Sequence, residues 1–421
     1  MKKKFEVKKG WIALLILLSS CGFKGVSSEP VLISLQLKDR NGVQETISEP
    51  HRLEKYTHVN FLDPQPYEKV TCHFKQKGFT SSKVLSYHKN GQLMQSLDVL
   101  SARAKGAYRE FFENGKIKLE AEVVEGIGDL SFAAQESWIF DGHSRVYYEN
   151  GTLKALIPYK KGILEGLSIF YKEDGSVWKQ TPFVAGQMHG KELFFGFDQE
   201  ILGSVNYEKG LRDGPASVSA RLNGLNVHEN YQKGKLIEGE YRDATGALLS
   251  QVVQGEGVCT FFEKGALCRT EEIAGGVVEG KISFYRPNGG LDHTFVQKNG
   301  MKEGEEWFYH PNSKPKLRVI WENDQIHGVV QSWYGDGVIE SERMYASNKK
   351  EGSAFAWYKE GSRMLIEEYE NDILISGRYF KKGDSEPVSR VKEGEGTATL
   401  FDAKGNFLNK VSYKKGLPVH G

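Results

Sequence analysis

Residues 142–166 read GHSRVYYENGTLKALIPYKKGILEG, and this stretch holds one complete structural unit between two glycines. Three variable residues follow Gly142, then the apolar pair Val146 and Tyr147, then a short polar run ending in Asn150-Gly151. A second apolar run leads to Tyr159 and Gly162. Asn-Gly between two alternating apolar segments is the strongest short-range hairpin signal, because both turn residues must accept positive φ. One unit is therefore one β-hairpin. Asn90-Gly91, Asn114-Gly115 and Asn288-Gly289 fill the same turn slot elsewhere.

The opening glycine returns every 24 residues, at Gly166, Gly190 and Gly214, and again through Gly280, Gly304, Gly328 and Gly352. A shift of 138 residues maps the first series onto the second, and with it Tyr231 onto Tyr369, Gly239 onto Gly377 and His189 onto His327. Gly255-Glu256-Gly257 comes back one residue late as Gly394-Glu395-Gly396. A period of this size marks a repeat architecture. The expected fold is all-β: tandem ~24-residue hairpins stacked into an elongated, twisted antiparallel sheet, carrying a 138-residue internal duplication. The units opening at Gly239 and Gly377 are short, and a bend or bulge is expected at each Gly-Glu-Gly.

Organisation follows from where the period holds. Residues 1–21 form a leader, 22–83 a tether and capping segment, 84–141 the first repeats with an insertion, 142–279 one superunit and 280–421 the next. Val31–Leu37 and Tyr67–Phe74 alternate like strands within the cap, which would cover the first sheet edge. The insertion, Asp129–Ser137, has room for one helical turn or a loop.

The leader is the most specific local signal. Lys2, Lys3, Lys4, Lys8 and Lys9 precede an apolar run from Trp11 to Leu18, and Leu18-Ser19-Ser20-Cys21 follows. Eight apolar residues are too few to span a ~30 Å hydrocarbon core. The segment resembles a bacterial lipoprotein signal peptide, whose lipobox ends at the cysteine that is lipidated, here Cys21. The resemblance implies a membrane anchor through an N-terminal lipid, with two or three acyl chains each adding ~0.8 kcal/mol per buried methylene. Gly22 stands where an inner-membrane retention signal would place Asp, which by analogy with diderm lipoproteins points to the outer membrane. A plain secretory signal is the alternative. Losing residues 1–21, with five Lys and one Glu, moves the net charge from +1 to −3. No long basic run stands out, so the footprint of a nucleic-acid binder is missing.

The motifs Tyr159-x-x-Gly162-x-x-x-Gly166 and Tyr207-x-x-Gly210-x-x-x-Gly214, with the His189-Gly190 and His327-Gly328 pairs, resemble MORN (membrane occupation and recognition nexus) repeats. More closely they are similar to the bacterial variant repeats of YwqK-family antitoxin-like proteins. The resemblance covers roughly residues 84–421. It implies extended hairpin arrays serving as scaffolds, as partner-binding surfaces or, by label, as toxin neutralisers.

Candidate chemistry is sparse. The residue before each repeat glycine is Glu165, His189, Asp213, Glu238, Glu279, Glu303, His327 or Glu351. Equivalent positions lie two strands apart, ~10 Å, too far for adjacent units to share an ion whose ligand oxygens fall within ~5 Å of one another. These residues are expected to be polar turn residues accepting backbone hydrogen bonds. No nucleophile elbow, zinc-protease motif or phosphate loop is present, so neither enzyme activity nor a cofactor, metal or small-molecule substrate is expected. Cys259 and Cys268 flank one turn, and either a disulfide or two buried free thiols would suit them.

Aromatic residues give the better lead. Trp307, Trp321, Trp333 and Trp357 fall within 51 residues, joined by Tyr309, Tyr334 and Tyr358. Packing between neighbouring hairpins accounts for periodic aromatics. A dense, rigid aromatic surface also suits a protein hot spot or a sugar platform. The expected role is a non-enzymatic binding surface for an envelope protein, with toxin neutralisation and glycan binding as alternatives.

Overall fold

The computed structural model describes residues 30–76 and 79–419. Cys21 and the whole leader lie outside the described residues. The described chain is almost entirely β-strand, interrupted by a few single helical turns. It divides into two compact units, one holding residues up to 115 and 123–138, the other 116–122 and 139 onward.

In the first unit, strand Val31–Lys38 pairs with both Gln44–Ile47 and Lys69–Gln76. The ladder continues through Phe79–Tyr87 and Leu93–Leu100 to Arg103–Phe111. Leu35, Leu37, Ile47, Val70, Leu85 and Leu93 form its core. The expected cap strands are present. The insertion supplies one helical turn, Phe132–Gln135, whose neighbour Trp138 packs edge-on against Tyr108 at 4.7 Å between ring centres.

The second unit is an open antiparallel ladder from Ile139 to Val419 in which each hairpin pairs with the next, as the repeat predicts. Each regular hairpin carries a register shift beside its turn, at Tyr147, Tyr171, Phe195, Tyr285, Tyr309, Trp333 and Trp357. This is the second aromatic slot of the repeat. A bulge there bends the strand and lets a large ring lie against the turn.

Strand alternation sends one set of side chains to a buried face. The residue two places after the repeat glycine is its centre: Ser168, Glu192, Ala216, Tyr241, Ile282, Glu306, Ala354 and Tyr379 are buried, and Val330, after Gly328, is half-buried. Neighbouring hairpins thus bury each other's central side chains, which is why stability in such an array is a nearest-neighbour property.

At Gly-Glu-Gly the structure corrects the expectation of a bulge. A regular unit shifts register just before its glycine, as between Val205 and Tyr207 or Arg343 and Tyr345. Val252 instead pairs directly with Gly257 and Val253 with Glu256, without a shift, and Val391 and Lys392 do the same with Gly396 and Glu395. The short units lack this shift. Three successive turns then close on one another: Leu236 N–H donates to Gly276 C=O at 2.9 Å, Gly255 to Ile237 at 2.8 Å and Gly276 to Gly255 at 3.0 Å. Leu374, Gly394 and Gly416 repeat the arrangement. Each closure encloses a small core, Leu225, Leu236, Tyr241 and Val252 in the first and Tyr369, Leu374, Tyr379 and Val391 in the second.

Candidate functional site

Register sorts the aromatic cluster onto two faces, since directly paired residues share a face and neighbours along a strand do not. Trp307 pairs with Arg318, Arg318 with Gln331, Gln331 with Glu342 and Glu342 with Phe355. Tyr309, Trp333 and Trp357 lie two residues further along their strands, on that same face. Trp307 and Trp333 stack with ring centres 5.7 Å apart, and Phe355 and Trp357 with centres 5.9 Å apart. All four rings are half-exposed. The Arg318 guanidinium lies 5.6 Å from the Trp307 ring centre and pairs with Glu305, to which the Trp307 indole donates at 2.8 Å. These contacts fix the rings in place while leaving part of each in solvent.

Trp321 is on the other face. It pairs with Gly304 and donates its indole N–H to Glu306 Oε2 at 2.9 Å, while Lys302 Nζ donates to Oε1 at 2.8 Å. Glu306 is only 3% exposed, so this carboxylate is buried with both oxygens satisfied, as a buried charge must be. Trp321 is a clamp for Glu306 rather than a member of the open tryptophan face.

Tyr334 and Tyr358 belong to a device that sequence reading did not isolate. Tyr148, His310, Tyr334 and Tyr358 begin their turns, and each reaches a backbone carbonyl of the next unit: Tyr171, Trp333, Trp357 and Phe380, all at 2.8 Å. Each such side chain ties one hairpin to its successor. The signal was legible as Tyr, His or Arg recurring just after the second aromatic slot. Tyr358 is fully buried and Tyr334 half-buried. Burial pushes both hydroxyls up to about 12. An unfolded tyrosine ionises near 10, so the native state holds protons that the unfolded state has lost between about pH 10 and 12. Stability from these groups is complete below about pH 10 and falls as pH rises to about 12. Alkaline unfolding followed by circular dichroism should therefore set in above about pH 10, and Tyr358→Phe should lose about 1 kcal/mol of stability at neutral pH, one hydrogen bond, while flattening the fall above about pH 10.

The five glutamates among the eight residues that precede repeat glycines take the turn role expected of them. Glu165, Glu279, Glu303 and Glu351 each accept a backbone N–H 20 residues on, from Ala185, Asn299, Asn323 and Asn371, at 2.7–3.0 Å. Those donors have φ near 50°, the first position of the next tight turn. Each carboxylate thus stabilises the turn of its successor.

Cys259 and Cys268 are free thiols. Cys259 stands opposite Glu271, and its sulfur lies 2.9 Å from the Tyr241 hydroxyl, which spends its one proton on Glu229 and is free to accept from the thiol. Cys268 occupies the register shift between Leu267 and Arg269 and donates to Phe261 C=O at 3.3 Å. Cys259 pairs three residues beyond Cys268, so the two thiols do not face each other and both are free.

A buried carboxylate clasp was also missed. Tyr231 and Tyr241 donate to the two oxygens of Glu229 at 2.9 and 2.5 Å. At a shift of 138 residues, Tyr369 and Tyr379 donate to Glu367 at 3.1 and 2.8 Å. The repetition of the trio in the sequence was its signal.

The family described as MORN repeat variant matches this chain at residues 105–124, 140–161 and 326–346. The last two matches fall on hairpins of the second unit. No curated protein matches the chain. Among solved structures, similarity is found to TcdB2-TccC3 without its hypervariable C-terminal region, at 9% identity over 91% of this chain and 26% of that one, with a TM-score of 0.14. A second is the Photorhabdus luminescens Tc holotoxin pore carrying a TccC3 mutation, at 9% identity over 92% of this chain and 26% of that one, with a TM-score of 0.12. The chain spans about a quarter of the length of either.

Proposed function

We propose that this chain is a non-enzymatic repeat scaffold that holds a protein partner in the cell envelope on its tryptophan face, tethered by a lipid on Cys21. The MORN-variant matches and the hairpin ladder fit a binding scaffold. The observation that carries the reading is that Trp307, Trp333 and Trp357 share one half-exposed face and are held by stacking, whereas the fourth tryptophan is committed to a buried carboxylate. Rigid, partly desolvated tryptophans beside an arginine have the composition of interface hot spots. Export rests on the leader sequence alone.

The test is affinity capture of the full-length protein, cross-linked in its own envelope, beside two variants. Trp307, Trp333 and Trp357→Ala together should keep the circular dichroism of the parent and lose a discrete protein partner, each hot-spot ring contributing about 2 kcal/mol or more. Cys21→Ser should leave the membrane fraction. Retention of wall polymer with no protein partner would replace the protein reading by the glycan one, and an unchanged partner in the triple variant would remove the tryptophan face from it.

A further inference from the structure

The two turn closures share a backbone plan but not a lining. In the second, Val411 stands opposite Ala398 and Tyr413 opposite Gly396, and both pack on the apolar core. In the first, the same register positions hold Glu271 opposite Cys259 and Ile273 opposite Gly257. The second copy therefore shows that the fold is completed with valine where the first carries a carboxylate.

That carboxylate is costly where it stands. The Glu271 side chain is 14% exposed. Burial raises its proton affinity above the usual carboxylate range, and only Arg269 opposes this. Arg269 Nε lies 3.0 Å from Oε1, yet it is not aligned to donate and is itself buried without a hydrogen-bond partner. The guanidinium lies instead against the Phe261 ring, 4.4 Å from its centre. Glu229, lining the same space, has both oxygens taken by tyrosines. Glu271 is the carboxylate left short of donors.

It faces a cavity of about 490 Å³ whose walls are mainly apolar, including Val227, Leu236, Phe262, Ile273 and Val278. Volumes of this size suit small organic ligands, and a few placed polar groups in an apolar wall set their orientation. The charged lining is Glu229, Glu271 and Arg212, with Arg212 exposed at the rim and donating to Tyr231 at 2.8 Å. The three lining charges sum to one negative, and Arg269 offsets it from beside Glu271 without giving that carboxylate a hydrogen bond.

We infer that this cavity binds a small hydrophobic amine, its ammonium donating to Glu271 and its apolar body packed on Val227, Leu236, Phe262 and Ile273. An ammonium supplies the hydrogen bonds that Glu271 lacks, and charge-assisted bonds of this kind are the strong ones. An anion would meet two carboxylates, and a neutral ligand would leave Glu271 short.

The probe is 4-phenylbutylamine, titrated calorimetrically into the intact protein beside 4-phenylbutanol and 4-phenylbutyrate. The amine is expected to bind about tenfold or more tighter than the alcohol, the equivalent of about 1.4 kcal/mol, and the carboxylate weakest. Glu271→Gln should bring the amine down to the alcohol's affinity, leave the alcohol unchanged and preserve the circular dichroism spectrum. Val411→Glu, which puts the acid into the second closure, should not restore amine binding to Glu271→Gln. No saturable binding, equal affinity for amine and alcohol, preference for the carboxylate, or an amine preference surviving Glu271→Gln would each overturn the assignment.

Discussion

Tyr379→Ala is expected to cost roughly 3–5 kcal/mol, the range for truncating a buried aromatic. Tyr379 is 1% exposed, and its hydroxyl holds one oxygen of Glu367 while Tyr369 holds the other. Truncation opens a cavity and strips a donor from a buried carboxylate, two separate penalties. Tyr379→Phe separates them. It keeps the ring and removes only the hydroxyl, so about 1–3 kcal/mol should be lost. Chemical denaturation gives the totals. Hydrogen exchange gives the place, because stability in a hairpin array is set between neighbours. Protection should fall across residues 363–414 and hold across 280–333 in the same molecule. A uniform loss of protection would mean that the unit melts as one body.

Gly396→Ala should be nearly as damaging, at roughly 2–4 kcal/mol, though it adds a single methyl group. Gly396 has φ +138°, and a Cβ there would lie 2.4 Å from Arg390 C=O and 3.0 Å from Val391 Cα. Those are backbone atoms of the strand to which it pairs, so nothing can swing aside. Gly361→Ala is the control. It also has positive φ, +93°, but its Cβ would meet nothing within 4 Å. That variant should lose only the strain of the left-handed backbone, about 1 kcal/mol. Thermal unfolding of the two side by side separates close approach from backbone strain.

The hairpin ladder was readable because a tight turn and its flanking strands are local, and repetition multiplied a weak signal. Gly166 and Gly304 open strands with φ of 111° and 76°, which few other residues tolerate, so the period survives in the glycines. Gly377 keeps its place for another reason: its φ is ordinary, but a Cβ would come within 2.5 Å of the Tyr379 hydroxyl. Which face each tryptophan takes was not readable. It depends on register, and a shift of one residue moves a side chain to the opposite face. The bulge beside Trp333 and the shift at Cys268 are such displacements. The Tyr334 and Tyr358 ties were hidden because they span 23 and 22 residues, and only stacking of the hairpins brings donor to carbonyl. Glu229 and Glu367 stand out in sequence only when compared across the duplication.

The central claim is that one face of the second unit is open for a partner and the opposite face is closed. Photo-crosslinking in living cells tests it most directly, with benzoylphenylalanine in place of Trp333 on the tryptophan face or Leu317 on the opposite face. Leu317 pairs with Phe308 and so faces away from Trp333. The account predicts a discrete cross-linked protein from position 333 and none from position 317. Equal products from both positions, or a product from 317 alone, would contradict it.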